Sequence, residues 1–338
     1  MRTPSYEQAF EVLCLLAADE GRGEVLFGDS LERARVLVPP FMVGEKFPDV
    51  YLEFPLAGDP FLDVTVLLHD PVRGTRIDSP AAGNTGPMID WFADACRTYP
   101  NISCGYELDT KKPQLAQAAV HFQPRKDIEL VEPFCKVIGE PERASLYLDL
   151  ARRMPQGWPL SFFGLFRGRP GSPLRVCGYM DYNEQAACRD NPDRLRSAFD
   201  AIGFSHYDDA MIEQVHALLA VAPDTVDFQF DLYEDGTLGS TFAIDVQFAI
   251  ERPERVRSSF AEGPTSRVMH LFEEWGIADK RWRLGAEAAF ARSIPVELDD
   301  GSAGRFAFTL MPQWVKARWT DKALQPSKLY MLGSAGLL

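Results

Sequence analysis

Five times along the chain, two runs of alternating apolar and polar residues flank a short turn rich in Gly, Pro and Asp, and helical text follows. The pairs are Asp49–Phe54 with Phe61–His69, Ile102–Asp109 with Leu115–Gln123, Leu160–Arg167 with Leu174–Tyr179, and Thr225–Tyr233 with Leu238–Phe248. The fifth lies in the C-terminal stretch, where Gly304–Leu310, Trp314–Trp319 and Ser327–Leu332 alternate in the same way. Period-two alternation between breakers is the signature of a half-buried strand, and Asp-Gly between two such runs is a strong hairpin signal. Asp235-Gly236 is such a turn, and Asp300-Gly301 predicts a further hairpin arm.

Between the hairpins the period shifts to 3.6. Ser5–Ala18, Thr85–Tyr99, Ile128–Ile138, Arg143–Met154, Pro192–Ile202, Asp208–Val221, Arg252–Phe260, Thr265–Trp275 and Asp279–Arg292 read as helices, with breakers such as Gly139, Pro155, Gly203 and Gly263 at their ends. The repeated unit is a hairpin and its helices. It closes in one of two ways, as a ring of antiparallel strands with helices outside or as an open sheet with helices on one face. No linker or low-complexity tract interrupts the 338 residues, so one domain, 1–338, is expected.

The strand faces divide sharply. Phe228, Phe230, Leu232, Phe242, Ile244 and Val246 form an apolar face that requires helices against it. The opposite faces carry Glu53, Asp63 and His69, Glu107, Gln117, His121 and Gln123, Arg175 and Tyr179, Asp227, Asp231 and Asp245, and Lys316, Arg318, Lys328 and Tyr330. In a ring of about ten strands these polar residues line a chamber too wide for side chains to fill. In an open sheet they face bulk solvent, and alternation alone allows both.

Composition narrows the partners. Lys+Arg 35 against Asp+Glu 49 gives a net charge of −14, too acidic for binding nucleic acid or an anionic membrane surface. The apolar run Val12–Ala18 is framed by Glu11 and Asp19 and is too short for a signal peptide or a membrane span. The six cysteines have no Cys-x-x-Cys spacing and the five histidines no metal-ligand pattern, so reduced thiols and a cytoplasmic location are expected. No Gly-rich nucleotide loop, nucleophile elbow or zinc-protease motif occurs.

The run of αββα units, with segments ISCGYELDTKKPQLAQAAVHFQPR, LSFFGLFRGRPGSPLRVCGYM and the ending SKLYML, resembles the ABBA-type prenyltransferases, nearest in length and order to the cyanobactin-type peptide enzymes. The resemblance covers most of the chain but is architectural, with no specific motif to anchor it. It implies an α+β fold of repeated αββα units, an antiparallel β-barrel of about ten strands with helices outside (the PT-barrel). It also implies transfer of an isoprenoid from an allylic diphosphate to a peptide or small aromatic acceptor in natural-product biosynthesis. By the same resemblance Glu53 is the general base for the acceptor, Arg175, Lys316, Arg318 and Lys328 hold the diphosphate, and Tyr179 and Tyr330 shield an allyl cation. A leaving diphosphate needs such cations as its C–O bond breaks, and Lys316-x-Arg318 puts both on one strand face.

One departure stands out. The inward positions of the first, second and fourth hairpins are acidic, which requires either Mg2+ bridging Asp231 or Asp245 to the diphosphate, or a different ligand such as a cationic one. Two other functions remain open: a non-catalytic peptide-binding protein of the same fold, and an acid–base enzyme using Glu53, Asp231 and Asp245.

Overall fold

The computed structural model describes residues 2–83, 86–111, 118–169, 171–298 and 300–338. The strands are β1 (Asp49–Pro55), β2 (Asp63–Leu68), β3 (Ser103–Leu108), β4 (Ala119–Gln123), β5 (Leu160–Leu165), β6 (Leu174–Tyr179), β7 (Val226–Leu232), β8 (Leu238–Gln247), β9 (Phe290–Glu297), β10 (Ala303–Thr320) and β11 (Ala323–Leu337). Each pairs antiparallel with its neighbour from β1 through β8; β8 pairs with β10, β10 with β11, and β11 returns to β1. The result is a closed ring of ten strands, with β9 attached outside it along the N-terminal half of β10. Of the two closures the alternation allowed, the chain forms the ring.

The β7–β8 turn shows how local chemistry sets the register. Gly236 has φ +79°, where a Cβ would be strained, and Asp235 accepts a hydrogen bond from the Thr237 amide at 2.9 Å. Leu232 then stands opposite Leu238, and Phe228, Phe230, Phe242, Ile244 and Val246 all point to the outer layer, fully buried. Against them packs the helix Asp193–Ile202, whose Leu195, Ala198, Phe199 and Ile202 repeat at helical spacing and which stops at Gly203 (φ +80°). The Phe199 ring meets Phe242 edge-on at 5.0 Å, and each such buried ring contributes about 2 kcal/mol.

Most elements fall within a residue or two of their expected ends, and Leu174–Tyr179 coincides. The C-terminal stretch departs in two ways. Asp279–Arg292 is not one helix: it ends at Glu287, and Phe290 opens β9, which forms the arm predicted around Asp300-Gly301. The two runs on either side of Pro312 are one 18-residue strand, and Pro312 sits at a register shift, where a residue without an amide proton is tolerated. The helices Arg22–Phe27, Ser30–Leu37 and Tyr182–Asp190 were not anticipated. The start of the helix expected at Thr85, the strand residues 115–117 and the Lys112–Pro113 part of the turn lie outside the described residues. Among the described residues no helix is long and apolar enough to cross a membrane.

Candidate functional site

Inside the ring lies a chamber of about 630 Å3, and next to it a pocket of about 40 Å3 on the side of the hairpin turns. Glu53, Glu107, Arg175, Gln229, Lys316 and Tyr330 line both spaces. The strand pleat explains the lining. On β1, Asp49, Tyr51 and Glu53 face the lumen while Val50, Leu52 and Phe54 are buried in the outer layer. Among the described residues, every candidate read from the sequence lies on the lumen side or, like Asp63 and Asp231, is bonded to a residue that does.

The small pocket is a basic floor. Arg169, Arg175, Lys316, Arg318 and Lys328 converge on it. Lys316 and Lys328 stand directly opposite each other on β10 and β11, a like-charge pairing that is destabilising without intervening negative charge. Carboxylates supply part of it. Arg175 donates from Nε to Asp231 Oδ1 (3.0 Å) and from Nη2 to Oδ2 (3.3 Å). Lys328 donates to Asp63 (2.7 Å) and lies 3.7 Å from Glu53. Burial opposes the charge on Lys328, but Asp63 and Glu53 outweigh it and hold its pKa above the ordinary lysine value. Arg169 reaches Glu107 at 3.2 Å from the β5–β6 turn. Arg318 alone of the five has no carboxylate within 4.0 Å among the described residues; burial and the nearby Arg175 lower its pKa.

Glu53 is 4% exposed. It accepts a hydrogen bond from the Thr65 hydroxyl (2.6 Å), and its carboxyl pKa is raised, first by burial and then by Glu107. Glu107 moves the other way: burial would raise it, but His121 and Arg169 hold it well below the usual range. His121 lies 3.4 Å from Glu107 and makes no hydrogen bond through either nitrogen. Its ring stacks on Phe162 (5.1 Å, 8°) and crosses Gly164, where a Cβ would come within 2.8 Å of it.

Aromatic rings form the adjoining wall. Trp314 stacks on Tyr330 (5.0 Å, 20°) and leans on Tyr51 (4.8 Å). Lys316 Nζ sits 4.8 Å from the Tyr330 ring centre, so that face accepts a cation. Burial, reinforced by Glu53, keeps the Tyr330 hydroxyl protonated. Tyr179 is different: it is 43% exposed and stands at the chamber mouth, away from the basic floor. The Cys177 thiol faces the chamber, but burial lifts its pKa well above the ordinary value, so it is no ready nucleophile.

Neither aspartate expected to bridge Mg2+ to the diphosphate is left free for an ion. Both oxygens of Asp231 are held by Arg175, Asp245 accepts from Gln229 and lies 3.6 Å from Lys316, and no trio of His, Cys, Asp or Glu converges among the described residues. This donor set does not fit a resident divalent cation. Residues that sequence reasoning did not assign are Arg169, which lies on a turn where pleat gives no face, and Tyr51, Trp314 and Gln229. Tyr51, two residues before Glu53, had a readable signal, since alternation puts both on one face.

The sequence matches no protein-family model and no curated protein. The fold does have solved relatives. One is 5-dimethylallyltryptophan synthase from Streptomyces coelicolor, at 14% identity, TM-score 0.51, with 98% of each chain covered. Its complex with DMASPP and Trp aligns at 15% identity and TM-score 0.50, covering 98% of this chain and 96% of that one. The NotF prenyltransferase aligns at 10% identity and TM-score 0.50, covering 99% and 96%. With its ten-strand ring, outer helices and hydrophilic lumen, the chain has the ABBA-type prenyltransferase fold, the PT-barrel.

Proposed function

We propose that the chain transfers an isoprenoid from an allylic diphosphate to an aromatic or peptide acceptor. The observation that carries this reading is the five-cation floor opening directly into a chamber walled by Trp314, Tyr330 and Tyr51. In the reaction the C1–O bond breaks and its electron pair leaves with the diphosphate, whose growing charge Arg175, Lys316, Arg318 and Lys328 stabilise, with Arg169 beside them. The Tyr330 and Trp314 faces shield the allyl cation. The acceptor forms the new bond with its own electron pair, and its proton passes to the Glu53 carboxylate. Free thiols at all six cysteines agree with a reducing, cytoplasmic setting.

Calorimetry with dimethylallyl diphosphate, without and with Mg2+, tests the reading. Binding is expected, and Arg318→Ala should weaken it by about tenfold to a hundredfold, the loss of one charge-assisted contact. Silence at millimolar ligand overturns it. The acidic balance of the lumen favours one other reading, an acid–base enzyme working through Glu53. It predicts that Lys316→Ala and Arg318→Ala leave activity nearly unchanged. Capture of a peptide without turnover would mark a non-catalytic carrier instead.

A further inference from the structure

The five cations of the floor are matched in number by carboxylates beside and behind them. Among the described residues, Glu107 lies 3.2 Å from Arg169, Asp231 3.0 Å from Arg175 and Asp245 3.6 Å from Lys316. Arg318 has no such partner and Lys328 has two, Asp63 at 2.7 Å and Glu53 at 3.7 Å. The ten side chains together carry no net charge. An allylic diphosphate brings about three negative charges. Set into a largely buried and already balanced cluster, that charge has to be met by positive charge taken up with it. The weakest carboxylate of the set is on β2. Asp63 and Glu53 are direct cross-strand partners that share the one ammonium of Lys328. Like charges in that register are destabilising, and two carboxylates at one site favour a proton on one of them.

Hydrogen bonding decides which of the two takes it. Glu53 accepts from the Thr65 hydroxyl at 2.6 Å, a donor that steadies the anion. Asp63 is 7% exposed; its Oδ2 accepts from Lys328, and its Oδ1 has no hydrogen bond. Lys328 lines the floor, so a diphosphate there competes for the one cation that supports Asp63. Burial raises the Asp63 pKa, Lys328 pulls it back, and Glu107 on β3 and Asp109 just after it add to the rise. With Lys328 from β11 and Glu53 from β1, these are the charged groups that face Asp63. We propose that diphosphate binding is coupled to the uptake of one proton by Asp63. Lys328 turns its charge to the ligand, an Asp63 oxygen takes H+ from solvent, and the proton leaves again when the diphosphate leaves. Glu53 stays ionised for the proton of the acceptor. The inference rests on the diphosphate reading of the floor. Because the complex then holds more protons than the free protein, affinity falls as pH rises.

The test is calorimetry of dimethylallyl diphosphate on the full chain, with EDTA, without acceptor, in Tris and in HEPES at about pH 8. The two buffers absorb different heats on giving up a proton, so the difference between the observed heats counts protons. At about pH 8 the ligand is past its last ionisation, near about 6, and the uptake belongs to the protein. The wild type should take up about 0.5–1 proton per diphosphate, and its affinity should fall severalfold from about pH 7.5 to about pH 8.5. Asp63→Asn, its folding confirmed by a thermal melt, holds the neutral state permanently. Its uptake should drop close to zero, its pH dependence should flatten, and it should bind about threefold to tenfold tighter at about pH 8.5. An Asp63 that only orients Lys328 gives weaker binding in this variant instead, and that result overturns the proposal. Should Asp63→Asn fail to fold, Glu53→Gln decides: uptake that persists there supports Asp63, and uptake lost there overturns the assignment. Binding without proton uptake in the wild type, or with proton release, removes this inference and leaves the prenyl reading. No binding at millimolar diphosphate removes both.

Discussion

Glu53 shows what burial without full pairing does to one side chain. Thr65 gives it a hydrogen bond and Lys328 stands 3.7 Å away, yet burial and Glu107 raise its pKa. A carboxyl whose pKa is raised in the fold holds its proton longer there than in the unfolded chain. Stability is therefore lost as pH rises from the ordinary carboxylate range through the raised value. Asp227 acts in the same sense, between 3.8 and about 7. Glu107, held low, contributes stability that disappears only as pH falls below its ordinary range. Thermal melts from about pH 5 to about pH 8 should thus show falling stability. Glu53→Gln should flatten the curve, raise stability near neutrality by on the order of 1–2 kcal/mol and abolish turnover. A melting temperature that rises across this window in the wild type would contradict the assignment.

At the scale of the element, two glycines are required by close approach. A Cβ on Gly105 of β3 would lie 2.1 Å from the Val66 carbonyl oxygen, so Gly105→Ala must wedge β2 from β3. A Cβ on Gly164 of β5 meets side chains rather than backbone, the His121 ring at 2.8 Å and the Phe166 ring at 3.0 Å. Urea unfolding should show Gly105→Ala as the costlier change, about 3 kcal/mol or more against about 1 kcal/mol. Gly164→Ala should act chiefly on Glu107 by displacing its imidazole neighbour; equal losses in the two variants would show that backbone crowding does not set the difference. Strands bounded by Gly and Asp turns were legible because the pattern is local. Phe290–Glu297 was not: the Ala- and Glu-rich text before it continues a helical period, and only pairing with Ala303–Leu310 makes it a strand. Tyr182–Asp190 was missed because, of its nine residues, only Glu184, Gln185 and Cys188 are buried, a face without an apolar stripe.

The whole molecule carries −14 in formal charge and still gathers five cations at one end of its barrel. Inorganic diphosphate should therefore stabilise the fold by mass action, by about 3 kcal/mol at a hundredfold excess over its dissociation constant. In a melt this appears as a rise of a few degrees that shrinks with added salt. The double variant Lys316→Ala/Arg318→Ala should lose the rise. A shift that persists in the variant would place the anion elsewhere. The same scale holds the reason that the acid–cation partnerships were unreadable: Lys328 and Asp63 are 265 residues apart, and β11 meets β1 only because the ring closes.

What the sequence determined by itself is the alternation: which residues share a strand face, where hairpins turn, and hence that Glu53, Arg175, Lys316, Arg318, Lys328 and Tyr330 stand on polar faces. That information is local, written in period two and in turn chemistry. The tertiary structure decided that those faces turn inward on a cavity, that Asp231 is occupied by Arg175 and so is no metal ligand, that Tyr179 stands at the mouth, and that Arg169 joins the floor from a turn. Closure and register between distant strands depend on packing of the whole ring, and no short stretch of chain encodes them.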